Sequence, residues 1–208
     1  RRSELMATRF PALAVDIASE APGSLAKLFA ARVGAVRLEI GFGGGEHLIH
    51  EALRFPEIGF IGVEPFLNGM AKAVATIADL GLDNVRVFGG DATSLLDWLP
   101  PSSLAGIDLL YPDPWPKKRH WKRRFVNGAN IDRFARVLAA SGTFRCASDI
   151  ESYVTWTLAH LLKRRDFEWT ATRADDWRKP FEGWPGTRYE TKALAAGRKP
   201  AYLEFRRL

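Results

Sequence analysis

Short apolar runs alternate with amphipathic helical patterns along nearly the whole chain, and this alternation restricts the fold more than any other feature. Residues 36–40, 59–63, 84–88, 106–111 and 143–147 read as strands. Residues 46–54, 67–80, 131–140 and 152–162 read as helices, the third capped by Gly142, and weaker strands follow at 167–172 and 201–205. In the second helix Leu67, Met70, Ala71, Val74, Ile77 and Ala78 recur near the 3.6-residue period. Such alternation predicts an α/β fold with a mostly parallel, doubly wound sheet. Ligands of such sheets bind beyond the carboxyl ends of the strands. The residues that follow the strands, Glu39 to Gly45, Glu64, Asp91, Asp113 to Lys117 and Asp149, are therefore expected to line one cleft. A purely structural sheet has no need of an acid at each of five strand ends.

The first strand runs into Glu39-Ile40-Gly41-Phe42-Gly43-Gly44-Gly45-Glu46. Glycines let the backbone turn tightly and approach a ligand closely. A dinucleotide fingerprint read from Gly41 would need Gly or Ala where Glu46 stands, and a carboxylate there competes with a pyrophosphate for the helix N-terminus. The pattern that fits is G-x-G-x-G, which suits a phosphate-free nucleoside cofactor. Glu64 ends the second strand, where a carboxylate can accept from both ribose hydroxyls. Asp91, with Ala92 beside it, ends the third strand at the expected place of an adenine amino group, although Asp after two glycines is also a turn residue. Glu39 adds negative potential suited to the sulfonium and ammonium of S-adenosylmethionine; its structural alternative is a turn or helix hydrogen bond.

After the fourth strand comes Tyr111-Pro112-Asp113-Pro114-Trp115-Pro116, stiffened by three prolines. Lys or Arg then occupies six of the eight positions 117–124, with Trp115 and Trp121 interleaved. Phosphates attract the cations and unstacked bases the flat rings. Methyltransferases that act on exocyclic amines carry [DN]-P-P-[YFW] here, whereas this chain has Asp-Pro-Trp. The net charge of +6 agrees with a polyanionic partner but does not demand one.

Other features exclude whole classes. The single cysteine, Cys146, rules out a disulfide framework or a Cys-based zinc site and reads as a buried strand thiol. His47 and His50 lie on one predicted helix but match no metalloprotease signature, so no metal is expected. No apolar run is long enough to span a membrane, and no leader pattern is present. The chain opens with Arg1-Arg2 rather than Met, so a native start is expected upstream. Lys163, Arg164 and Arg165 end a helix, where cations suit the dipole.

On the motifs from Leu38 to Gly43, Gly62-Val63-Glu64, Asp113 to His120, Lys122-Arg123-Arg124 and Thr187-Arg188-Tyr189-Glu190, the chain resembles the bacterial tRNA (guanine-N7-)-methyltransferases from about residue 34 to its end. Residues 1–33 carry no usable motif and are set apart as an N-terminal extension to a domain at 34–208. The resemblance implies a Rossmann-like class I S-adenosylmethionine-dependent methyltransferase acting in the cytoplasm on guanine 46 of the tRNA variable loop, as a monomer or homodimer. It implies cofactor contacts at Glu39, Gly41, Gly43, Glu64, Asp91, Ala92 and Asp113, with Asp113 also catalytic. Lys117, Asp149, Thr187, Arg188, Tyr189 and Glu190 would meet the guanosine; whether Asp149 or Glu190 reads the base edge stays open. Arg119, His120, Lys122, Arg123 and Arg124 would touch the RNA backbone. Trp121 stands where the family more often has a polar residue. The rivals are a noncatalytic RNA-binding module on the same fold and a nicotinamide-dependent dehydrogenase.

Overall fold

A computed structural model describes residues 2–208, with side chains from Met6 onward; Arg1, at the head of the segment set apart above, lies outside the described residues. The strands are β1 (Ala35–Ile40), β2 (Ile58–Val63), β3 (Val85–Phe88), β4 (Leu104–Leu110), β5 (Leu138–Ser148), β6 (Phe167–Trp169) and β7 (Ala201–Arg207). The α-helices are α1 (Arg2–Leu13), α2 (Glu46–Arg54), α3 (Leu67–Leu80), α4 (Ala92–Trp98), α5 (Gly128–Val137), α6 (Glu151–Leu161), α7 (Asp175–Arg178) and α8 (Arg188–Ala195).

Seven strands form one sheet in the order β3-β2-β1-β4-β5-β7-β6. The first five strands pair in parallel, and β7 joins β5 and β6 antiparallel. Strand order reverses between β1 and β4, which opens a crevice at their carboxyl ends. Successive residues of a strand face opposite sides of the sheet. Phe60 accordingly packs with Leu48, Val74 and Ile77 of α2 and α3, while Ile61 joins the cluster of Leu95, Ile131 and Phe134 from α4 and α5. Leu38, Ile61 and Ile107 are fully buried; each such side chain contributes about 1.5–3 kcal/mol to folding.

The structure departs from the sequence reading at several elements. The fifth helix ends at Val137, not at residue 140, because Ser102 and Ser103 donate backbone N–H groups to the carbonyls of Arg136 and Val137. Residues 138–140 then start β5, and Gly142 sits at the register shift between β4 and β5, where a Cβ would lie 2.9 Å from the carbonyl oxygen of Ala139. Second, α4 was not assigned, although Asp91 caps it and Ala92, Leu95, Leu96 and Leu99 carry the apolar spacing. Third, α8 was not assigned either, although Thr187 and Glu190 have the spacing of a capping box. The N-terminal segment also enters the main structure: Ala14 bridges Val87, and Val15, Leu25, Phe29 and Val33 are buried in the core. Among the described residues no helix is long and apolar enough to cross a membrane.

Candidate active site

The carboxyl ends of β1 to β4 surround a cavity of about 520 Å³. Its apolar wall includes Ile40, Val63, Leu109 and Leu110, and its polar lining includes Glu64, Asp91 and Asp113. Gly41 and Ala92 line it too, with Tyr189 from the first turn of α8. A Cβ at Gly41 would meet no protein atom within 4 Å, so the space beside that backbone is open to the cavity.

Backbone groups hold Glu64 in place. Its Oε2 accepts from Gly43 N–H at 2.7 Å and its Oε1 from Phe66 N–H at 2.9 Å. This arrangement depends on a residue the sequence reading passed over. A Cβ on Gly69 of α3 would fall 2.2 Å from the Gly43 carbonyl oxygen and 3.3 Å from Cγ of Glu64. Only glycine allows α3 to lie that close to the turn. Asp91 has two roles, since its Oδ1 caps α4 by accepting from Thr93 N–H at 2.8 Å while the residue lines the cavity. Asp113 is exposed on the cavity wall and has no hydrogen bond or ion pair among the described residues. The backbone on either side of it is strained: Tyr111 and Trp115, each followed by proline, adopt φ of 51° and 41°. Bulky residues in that region cost of order 1–3 kcal/mol each and persist where the surroundings hold them.

The basic segment beyond Asp113 packs upon itself. Lys118–Arg123 forms a 3-10 turn, Trp121 Nε1 donates to the Pro116 carbonyl at 3.3 Å, and the Arg123 guanidinium lies 4.8 Å from the Trp115 ring. Lys117, Arg119, Lys122 and Arg123 are exposed and His120 is half-buried, its ring edge-on to Trp115. Arg124 corrects the sequence reading. It was expected on the RNA-facing surface, but its side chain is fully buried and its guanidinium bonds to Pro114 and Ser152.

Two of the five strand-end carboxylates lie outside the cavity lining. Glu39 is buried and its Oε2 lies 2.8 Å from Nδ1 of His47. It points to the face covered by α2, opposite to Ile40. Burial disfavours the charged imidazole, but Glu39 outweighs that penalty and the pKa of His47 is raised. On the same face Asp108 pairs with Arg37 at 3.1 Å and with Arg145 at 2.5 Å. Burial opposes its ionisation, yet the two guanidinium groups hold its carboxyl well below the usual range. Asp149 follows β5 but is drawn into an ion pair with Arg198.

Glu190 is buried at the base of α8. Its two oxygens accept from Trp184 Nε1 at 2.7 Å and from the Tyr202 hydroxyl. Thr187 Oγ1 accepts from Glu190 N–H, and Arg188 and Tyr189 are exposed. His47 and His50 diverge, the first to Glu39 and the second to the Gly183 carbonyl. Burial pushes the Cys146 thiol up to about 12, which leaves it an inert core residue. Arg164 pairs with Asp132 and Asp166, which accounts for one cation of the 163–165 run within the fold.

Comparison with known proteins agrees with this geometry. A methyltransferase family model matches residues 34–203. The chain is 61% identical over 198 residues to the tRNA (guanine-N(7)-)-methyltransferase of Chelativorans sp. (strain BNC1), covering 95% of this chain and 85% of that one. It is 61% identical over 191 residues to the protein of the same name from Mesorhizobium japonicum, covering 92% and 82%. Among solved structures, the 16S rRNA methyltransferase KamB aligns with a TM-score of 0.66 over 91% of this chain and 95% of that one; at 15% identity the likeness is one of fold. The architecture is the class I S-adenosylmethionine-dependent methyltransferase fold. On near-complete coverage at this identity, the chain belongs to the tRNA (guanine-N7-)-methyltransferase family.

Proposed function

We propose that this protein transfers a methyl group from S-adenosylmethionine to N7 of guanine 46 in the variable loop of tRNA, giving 7-methylguanosine. The observation that carries this reading is Asp113, an unpaired carboxylate on the wall of the cavity that Glu64 and Asp91 also line, at the start of an exposed basic loop. The relatives named tRNA (guanine-N(7)-)-methyltransferase support the guanine-N7 chemistry.

The cavity residues fit the methyl donor. Glu64, already oriented by two backbone N–H groups, has lone pairs left for ribose hydroxyls. Asp91 and Ala92 face the adenine end, and Gly41 admits the backbone-proximal part of the molecule, while Gly43 acts through its N–H to Glu64 because Arg188 and Tyr189 fill the space where its Cβ would lie. Glu39, behind the cavity wall, is committed to His47 and is left out of the donor contacts. When bound, the donor supplies a methyl group made electrophilic by the adjoining sulfonium. Guanine N7 already has a free lone pair, so no side chain has to remove a proton first. The work of the protein is alignment, worth roughly 7–11 kcal/mol when geometry is good. Asp113 offsets the positive charge that builds on the purine ring. Lys117, Thr187, Arg188 and Tyr189 border the guanosine; Asp149, paired with Arg198, or Glu190, whose oxygens accept from Trp184 and Tyr202, accepts from its Watson–Crick edge only by giving up such a partner. The reaction needs no metal, and with tRNA as partner the protein works in the cytoplasm.

Incubation with unmodified tRNA and S-adenosylmethionine, followed by mass mapping of nucleosides, is expected to show one added methyl on guanine 46. Methylation elsewhere, or none, would sink the reading. In the same reading Arg119, His120, Lys122 and Arg123 meet RNA phosphates. Affinity for tRNA is then expected to fall steeply with salt through counterion release. Replacing Lys122 and Arg123 with Ala, while leaving the buried Arg124 in place, is expected to flatten the log–log salt slope by roughly 0.7–0.9 per contact removed. An unmoved slope would put the RNA on another surface.

A further inference from the structure

Among the described residues Arg124 heads the fully buried side chains by volume, and no carboxylate pairs with it. Burying an unpaired charge is costly, so a side chain that served only to fill space would more cheaply be apolar. What the guanidinium adds is a fork of donors that reaches several acceptors at once. Nε donates to the Pro114 carbonyl at 2.9 Å, Nη1 to the Ser152 carbonyl at 2.9 Å and Nη2 to Ser152 Oγ at 3.0 Å. Trp121, Tyr153 and Trp156 enclose it, with ring centroids 4.6, 5.3 and 5.4 Å from Cζ. These rings give the charge the stabilisation a counter-ion would otherwise provide.

The placement of the acceptors gives this fork its meaning. Pro114 stands between Asp113 and Trp115, both in the cavity wall, and Ser152 lies in the first turn of α6. The neighbours of Arg124 in sequence, Arg123 and Phe125, line the same cavity. The segment that leaves the cavity at Asp113 thus returns to it at Arg123, and Arg124 fastens the returning limb to the outgoing one and both to α6. The fastened stretch includes the strained residue Trp115, which needs such outside support.

We propose that Arg124 is a positioning residue for methyl transfer: its hydrogen bonds to Pro114 and Ser152 lock the Asp113–Trp115 backbone against α6 and so aim the Asp113 carboxylate into the cavity. The inference rests on the reading of Asp113 given above. Arg124→Lys keeps the charge but cannot bridge all three acceptors, and Ser152→Ala removes the Oγ contact alone. The measurements are kcat per S-adenosylmethionine-binding site (sites counted by calorimetry), KM for tRNA and the affinity for S-adenosylmethionine. Counting sites removes any loss due to unfolded protein, which a merely structural role would produce.

In Arg124→Lys, kcat per site is expected to fall roughly 10- to 100-fold, the scale of a misplaced reacting group. KM for tRNA and donor affinity are expected to stay within about twofold of wild type, and Ser152→Ala to show a smaller loss of the same kind. An Asp113→Asn, Arg124→Lys double variant is expected to be no slower than Asp113→Asn alone, since residues acting through one another are non-additive. Wild-type kcat in Arg124→Lys overturns the proposal. So does a loss confined to KM with a shallower salt slope, which would make Arg124 a direct RNA contact. If Arg124→Lys does not fold, Ser152→Ala decides, and an unchanged kcat there overturns it. Full turnover by Asp113→Asn would instead sink the reading of Asp113, so the two failures are distinct.

Discussion

Asp113→Ala is expected to lower the rate of methyl transfer by on the order of 10²–10³, the usual consequence of removing one preorganised electrostatic group from a reacting centre. Donor affinity is expected to weaken only a few-fold, because Glu64 and Asp91 remain on the cavity wall with their own backbone contacts intact. Stability is expected to change little, since Asp113 is exposed and has no partner among the described residues to leave unsatisfied. A single-turnover assay with labelled donor, beside a calorimetric titration of that donor, separates the two effects. Undiminished transfer would remove Asp113 from the mechanism. Equal losses in transfer and donor binding would make it a binding residue rather than one that acts as charge develops.

The second large effect concerns stability. Asp108 is nearly inaccessible and sits between Arg37 and Arg145, and Arg145 also approaches Glu51 at 3.8 Å. Replacing Asp108 with Ala leaves two guanidinium groups facing a cavity without their shared counter-charge. Breaking a buried pair from one side costs about 3–5 kcal/mol. For a chain of this size that corresponds to a fall in Tm of roughly 10 °C. Chemical denaturation measures the loss directly, and a change below about 1 kcal/mol would show that the network is held by other contacts.

The same group predicts a pH dependence with a definite sign. The folded-state pKa of Asp108 is depressed below the ordinary aspartate value. Between the two values the unfolded chain binds the extra proton, so stability rises with pH there. The contribution is complete above about pH 4 and is lost as pH falls through the folded value. Asp108→Asn, which keeps the shape but cannot titrate, is expected to show a flatter stability profile below pH 4 than wild type.

Much of the molecule was readable from residue order because the signals are local. The apolar periods located five strands, and α2 and α3 agree with the readings at 46–54 and 67–80. The glycine turn, Glu64, Asp91 and Asp113 were recognisable because each follows a strand, and parallel strands deliver such residues to one end of the sheet. The helices α4 and α8 were also written locally, in the Asp91 cap and the Thr187–Glu190 spacing, but both are short and were passed over.

Other features became visible only in three dimensions. Within the basic run nothing marks Arg124 as different from Arg123; the difference is the aromatic box of Trp121, Tyr153 and Trp156, assembled when α6 packs against the loop. Glu39 and Asp149 have the same strand-end position as Glu64, yet His47 claims one and Arg198, 49 residues away in sequence, claims the other. The close approach that makes Gly69 necessary likewise exists only once α3 lies over the Gly43 turn. Residue order sets where backbone elements begin and what each can bury, because those depend on neighbours a few positions away. Which side chain stays free for chemistry is decided by partners distant in the chain, since a charge or hydrogen-bonding group is spent on whatever the packed fold brings within about 3 Å.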